Sequence, residues 1–143
     1  MKRIAVLGAG NIGSTVAGML ADCGDYAVTL ADSRPAAPSR DPRIRRVLLD
    51  ASDPAALAAV LAGQFAVLSA APYHLTATIA AAAKAAGVHY LDLTEDVAST
   101  RAVKALAIGA ETAFIPQCGL APGFISIVAA DFARRFDALH DVR

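Results

Sequence analysis

Cysteine is scarce in this chain: Cys23 and Cys118 are the only two in 143 residues. They lie far apart without metal-ligand spacing, which argues against a disulfide framework and a cysteine metal centre; a reduced, cytoplasmic protein is expected. No excess of either charge exists, because Lys+Arg 13 balances Asp+Glu 13. Nothing in that balance points to nucleic acid or to an acidic partner surface. A longer absence runs from Pro54 to Ala83, where there is no Asp, Glu, Lys or Arg. Such a stretch raises the question of a membrane span. Gly63-Gln64 and Pro72-Tyr73-His74 cut it into pieces too short to cross ~30 Å of hydrocarbon, so no membrane partner is expected. No cleavable signal is read ahead of the first apolar run, and no repeat or low-complexity tail is present.

What is present is concentrated between Lys2 and Asp32. Arg3-Ile4-Ala5-Val6-Leu7 reads as a short buried strand, and Gly8-Ala9-Gly10-Asn11-Ile12-Gly13 as a turn after it. From Ile12 the period changes: Ile12, Val16, Met19, Leu20 and Cys23 share a helical face, taken as core, and Gly24 closes the helix. Tyr26 to Ala31 forms a second strand ending at Asp32, and Gly13 and Asp32 stand close to the ~20 residues apart that a dinucleotide fingerprint requires.

Each position has a physical role. Gly8 permits the tight strand-to-helix turn, Gly10 removes the Cβ that would hold a pyrophosphate off the backbone, and Gly13 lets helix and strand pack closely. A helix start offers unpaired N–H groups and a positive dipole end to the phosphates. Asp32 suits the ribose hydroxyls of NAD and repels the 2′-phosphate of NADP, whereas Arg34 is placed to swing over such a phosphate. NAD is therefore the expected cofactor, with NADP as the second choice and NADH the tighter of the reduced forms.

The remaining chain alternates between strand and helix. Residues 33–42 carry three prolines and replace the second crossover helix with a surface loop. Ile44–Leu49 is a third strand ending at Asp50-Ala51, and Ser52-Asp53-Pro54 starts a helix that runs to Gly63. Phe65–Ser69 is a fourth strand whose small continuation, Ala70-Ala71-Pro72, leaves room for a flat ligand. A helix from His74 to Ala86, a strand from Val88 to Leu93 and a helix from Glu95 to about Ala107, capped by Thr94, follow. Glu111–Pro116 forms a sixth strand, and Gly119-Leu120-Ala121-Pro122-Gly123 opens a last helix with Phe124, Val128 and Phe132 on one face. This order predicts an α/β Rossmann fold: a doubly wound parallel sheet, strand order 3-2-1-4-5-6, in three α/β/α layers. Right-handed crossovers then bring every strand C-terminus to one edge.

With Pro72-Tyr73, Leu91-Asp92-Leu93-Thr94 and Gly119-Leu120-Ala121-Pro122-Gly123-Phe124 added to the fingerprint, the chain resembles the saccharopine dehydrogenase family, including its saccharopine-reductase-like and lysine 6-dehydrogenase-like members. The resemblance runs from Ile4 to about Phe136. It implies an NAD(P)-dependent oxidoreductase acting on C–N bonds of amino acids or their imine adducts. It also implies that the phosphates sit on Gly10-Asn11-Ile12-Gly13 and the adenosine ribose meets Asp32-Ser33-Arg34. The adenine then passes Asp50-Ala51, and the nicotinamide side runs past Ala71, Pro72, Leu93-Thr94 and Leu120-Ala121-Pro122. Two positions depart from the family pattern: Thr94-Glu95 replaces a Ser-Tyr pair that contacts substrate, and Ala121 replaces an acid, so saccharopine itself is not the expected substrate. Family members continue into a domain that binds substrate and mediates dimerisation. By that resemblance residues 1–143 are one dinucleotide-binding domain, the substrate domain lies outside them, and they bind dinucleotide without turning over an amino acid alone.

Proton carriers near the strand edge are Tyr73, His74, Asp92, Glu95 and Cys118, and none is assigned as catalytic. Tyr73 and His74 read more simply as helix-start surface residues. Asp92, inside an apolar strand, needs partners or accepts hydrogen bonds from neighbouring backbone. Glu95 either binds a substrate amine beside Thr94 or answers the helix dipole, and Cys118 reads as buried. Two other functions compete. One is a regulatory NAD(H)-sensing module like those attached to potassium channels, which has no need of the small-residue turn at 119–123. The other is a Rossmann-like domain that has lost its ligand, against which the intact glycines at 8, 10 and 13 argue.

Overall fold

The computed structural model describes residues 1–35 and 39–141. Positions 36–38 of the proline-rich loop lie outside the described residues. The elements are β1 (Lys2–Leu7), α1 (Asn11–Asp22), β2 (Tyr26–Asp32), β3 (Ile44–Leu48), α2 (Pro54–Leu61), β4 (Ala66–Ser69), α3 (Thr76–Ala86), β5 (His89–Asp92), α4 (Val97–Ala107), β6 (Phe114–Ile115) and α5 (Phe124–Ala133). All pairings are parallel, in the predicted order β3-β2-β1-β4-β5-β6.

Strand alternation divides the interior in two. Ala5, Leu7, Ala31 and Val67 face α2, α3 and α4 through Leu57, Ile79 and Val103, while Ile4, Val6, Val28, Leu30 and Ala66 face α1. The predicted α1 face is rotated. Gly13, Ala17 and Ala21 are the buried residues, while Ile12, Met19 and Cys23 are exposed. Residues with little or no side chain let the helix axis come close to the sheet, and that contact outweighs the burial of larger side chains.

Several boundaries move. Asp53, with Pro54 behind it, caps α2 as expected, accepting from the Ala55 and Ala56 N–H groups. A single 3₁₀ turn at Tyr73–Leu75 precedes α3, which starts at Thr76 rather than His74. Asp96, not Thr94, caps α4 by accepting from Ser99 N–H; Glu95 lies before the helix, so the dipole does not account for it. The Thr94 hydroxyl instead accepts from Asp96 N–H. The sixth strand shrinks to two residues, Cys118 is exposed, and α5 contributes no buried residue, so its Phe124 and Phe132 stay exposed. Among the described residues, no helix is long and apolar enough to cross a membrane.

Candidate dinucleotide site

The loop after β1 is held from both sides. Gly8 N–H donates to Ala31 O at 2.8 Å, and Ala70 N–H donates to Leu7 O at 2.8 Å. Gly8 has φ +101°, and a Cβ there would come within 2.6 Å of the Ala70 carbonyl oxygen. A Cβ on Gly13 would collide with the carbonyl of Gly8 itself. Those two glycines are demanded by the chain's own packing. Gly10 differs: its φ is −71°, and a Cβ there would meet nothing within 4 Å. No internal contact explains the absence of a side chain at that position.

Gly10 also begins α1 without any side-chain cap, and the first helical bond runs from Ser14 N–H to Gly10 O at 2.9 Å. The N–H groups of Asn11, Ile12 and Gly13 therefore have no intrahelical partner and carry the positive end of the helix dipole. A diphosphate group fits this arrangement: donors without acceptors, beside a position stripped of its side chain.

Asp32 closes the other side. One carboxylate oxygen accepts from Ala9 N–H at 2.6 Å, and the other accepts from Arg34 N–H at 2.9 Å and Arg34 Nε at 3.2 Å. Burial raises the carboxyl's pKa, but the Arg34 and Ala9 N–H groups and the Arg34 guanidinium outweigh it and hold the group below its ordinary value. Asp32 is thus ionised. On one flank a cleft of about 320 Å³ is lined by Gly8, Asp32, Ser33, Asp50, Ala51, Ser52, Pro72 and His74 together with neighbouring apolar residues. The Asp50 carboxylate is drawn below its usual pKa by the Ser52 hydroxyl and N–H, which folds the 50–52 turn back on itself. On the other flank a smaller cavity of about 130 Å³ is bordered by Ala9, Asp32, Arg34, Pro35 and Arg46. Sequence reasoning missed Arg46; the signal was the register, which pairs it with Leu30, two residues before Asp32.

A third recess, about 220 Å³, lies across β4 and β5 and is lined by Ile12, Ser69, Ala71, Tyr73, Thr76, Asp92, Leu93 and Thr94. It explains the exposure of Ile12, whose side chain faces this recess instead of the core. Tyr90, Ser69 and Thr76 form a polar group beside it that the sequence did not announce. Burial, then the charge and hydrogen bond of Asp92, push the Tyr90 phenol pKa far up, so it stays a neutral donor. Although Cys118 is exposed as a residue, its thiol is partly covered by protein, and that partial desolvation first, then the Asp92 charge, raise its pKa. Of the residues singled out from sequence, Gly8, Ala9, Ile12, Asp32 to Arg34, Asp50-Ala51, Ala71-Pro72 and Leu93-Thr94 line these recesses; Gly10, Asn11 and Gly13 line none of the three and belong to the N-cap and first turn of α1. Leu120, Ala121 and Pro122 border none of these three recesses; their turn is tied to the same edge at Leu93, where a Cβ on Gly119 would lie 3.3 Å from the carbonyl oxygen.

Comparison with known proteins agrees with the geometry. The profile of the family described as "Saccharopine dehydrogenase NADP binding domain" matches residues 4–113. Saccharopine dehydrogenase (L-Glu forming) from Saccharomyces cerevisiae superposes with a TM-score of 0.81 at 23% identity, covering 94% of this chain and 31% of that one. The chain thus spans about a third of that enzyme's length. A Rossmann-fold NAD(P)-binding family protein from Shigella flexneri matches with a TM-score of 0.64 at 25% identity, covering 81% and 66% of the two chains. A uronate dehydrogenase variant from Agrobacterium tumefaciens, complexed with NAD, matches with a TM-score of 0.61 at 20% identity, covering 97% and 74%. The fold is that of NAD(P)-binding domains, and this chain belongs to the saccharopine dehydrogenase NADP-binding domain family.

Proposed function

We propose that these 143 residues are the dinucleotide-binding part of an oxidoreductase acting on C–N bonds of amino acids or their imine adducts, completed by a substrate and dimerisation domain outside this stretch. The open space at Gly10, facing unpaired first-turn amides with an ionised carboxylate beyond, is the observation that carries this reading. In it, the N–H groups of Asn11, Ile12 and Gly13 hold the phosphates and Asp32 accepts from the adenosine ribose. Asp50-Ala51 borders the adenine, and Ala71, Leu93-Thr94 and Leu120-Ala121-Pro122 flank the nicotinamide end. The dinucleotide supplies hydride chemistry; this chain's residues bind it, orient it and exclude water from one face. Thr94, which lines the third recess, and the exposed Glu95 that follows it in sequence are the candidates for contact with a substrate amine. Membership of the family supports this reading over a channel-type NAD(H) sensor.

Calorimetric titration of the 143-residue protein with NADH and NADPH tests the binding half. Saturable binding of at least one is expected, and absence of heat with both at millimolar concentration would falsify the assignment. The same protein is expected to form no NADH from any amino acid. Turnover by it alone would show that the second domain is dispensable.

A further inference from the structure

We propose that Asp92 is a positioning residue that ties the loop after β5, which lines the recess assigned to the nicotinamide end, to the 117–123 loop, and so sets how tightly that half of the dinucleotide is held. This rests on the dinucleotide reading above. Asp92 ends β5 and is 1% exposed. One of its carboxylate oxygens accepts from Thr94 N–H at 3.0 Å and from Gln117 N–H at 3.1 Å. The other accepts from the Tyr90 hydroxyl at 2.9 Å, and the Asp92 main-chain oxygen accepts from Cys118 N–H at 2.7 Å. Three donors converge on one side chain, two of them main-chain amides from segments 23 residues apart in sequence (Thr94 and Gln117).

Gln117 is the one non-glycine residue with positive φ, +63°, among the described residues. A side-chain-bearing residue holds such a conformation only where its surroundings enforce it, and the Asp92 carboxylate is the partner of its amide. Little else fastens this region. β6 upstream is two residues long, and α5 downstream buries nothing. Between them the 119–123 turn is closed internally by the Gly119–Gly123 bridge and leans on Leu93. Its place relative to Thr94 is therefore fixed through Asp92 and the residue next to it. Asp92, Leu93 and Thr94 line the third recess, whereas no residue of 117–123 does, so the carboxylate that holds Thr94 in that wall also anchors the second loop to it.

The test compares NADH with ADP-ribose, which lacks the nicotinamide ring, on wild type, Asp92→Ala and Asp92→Asn. In Asp92→Ala, NADH affinity is expected to fall at least tenfold while ADP-ribose affinity stays within twofold. Amide exchange at Thr94 and Gln117 is expected to speed up, with β1 and β2 amides still protected. Asn can accept from both amides and donate to the Tyr90 oxygen, so it is expected to restore most of the NADH affinity. Should the alanine variant not fold, Asp92→Glu serves instead: its longer arm carries the charge past the two amides, and a threefold drop in the NADH-to-ADP-ribose affinity ratio is expected. Equal loss of both ligands, or an unchanged ratio, overturns the proposal. Failure of the wild type to bind ADP-ribose would overturn the dinucleotide reading itself and this proposal with it.

Discussion

The Asp32 carboxylate accepts a 2.6 Å hydrogen bond from the Ala9 amide, joining the end of β2 to the glycine loop after β1. Asp32 therefore shapes the loop as well as standing where the proposed function puts the adenosine ribose. Replacing it with alanine removes an ionised acceptor, and hydrogen bonds to charged groups are worth ~1.5–3 kcal/mol. NADH affinity is expected to fall roughly tenfold or more. NADPH, no longer facing a carboxylate, is expected to lose less, so the gap between the two cofactors narrows. An unchanged NADH-to-NADPH ratio in side-by-side calorimetry would mean that Asp32 does not read the ribose.

The three fingerprint glycines separate into two kinds. Gly13→Ala forces a methyl into the Gly8 carbonyl, and Gly8→Ala strains a φ of +101° while crowding Ala70. Both are expected to cost several kcal/mol, as over-packing against backbone with no room to yield does. Gly10→Ala meets open space, so its cost is that of a poorer N-cap, within about 1 kcal/mol. Its dinucleotide affinity is nevertheless expected to drop more than tenfold. Denaturant unfolding and ligand titration on the same three variants separate the effects, and a Gly10→Ala protein that binds normally would remove the reason for a glycine there.

Arg34 and Arg46 border the cavity on the far side of Asp32. Besides its main-chain N–H, Arg34 is tied to Asp32 by one guanidinium nitrogen, Nε, with its side chain 75% exposed, which leaves the two terminal nitrogens able to turn to a phosphate. Arg34→Gln and Arg46→Gln are each expected to weaken NADPH by three- to tenfold and to leave NADH within twofold, with the NADPH loss shrinking as salt rises. If Arg46→Gln lowers both cofactors alike, its role is general attraction rather than recognition of the 2′-phosphate.

Most of this was legible in the sequence where local chemistry and global fold agree. Strand–turn–helix–strand between Lys2 and Asp32 carries its own period changes, and the family match spans the same elements. Legibility failed where tertiary contact overrides pattern. Ile12, Met19 and Cys23 satisfy a helical apolar face, yet Ala17 and Ala21 win the sheet because a small side chain allows closer approach. Arg46 was invisible because only the β2–β3 register brings it to Asp32's side. The Asp92 clamp was half legible: a buried acid needing backbone donors could be read from an apolar strand, but not that one donor would come from Gln117.

The depressed pKa of Asp32 gives a pH dependence whose sign can be worked out. An unstructured aspartate titrates near 3.9, and Asp32 titrates lower in the fold because the Arg34 and Ala9 donors outweigh the raising effect of burial. The folded state thus binds its proton less readily than the unfolded state. The stability this lends is complete above about pH 5 and is lost as pH falls through the unfolded and then the folded value. In Asp32→Asn the amide cannot titrate, so its melting temperature gives the baseline. Wild type is expected to melt above the variant by a constant margin from pH 8 to pH 5.5, and that margin is expected to shrink below pH 4. Because the Arg34 side chain is largely exposed, the two amides rather than the ion pair carry the effect, so raising the salt concentration is expected to leave most of the margin in place. A margin that grows on acidification would reverse the sign and show that burial of Asp32, not its donors, governs the group.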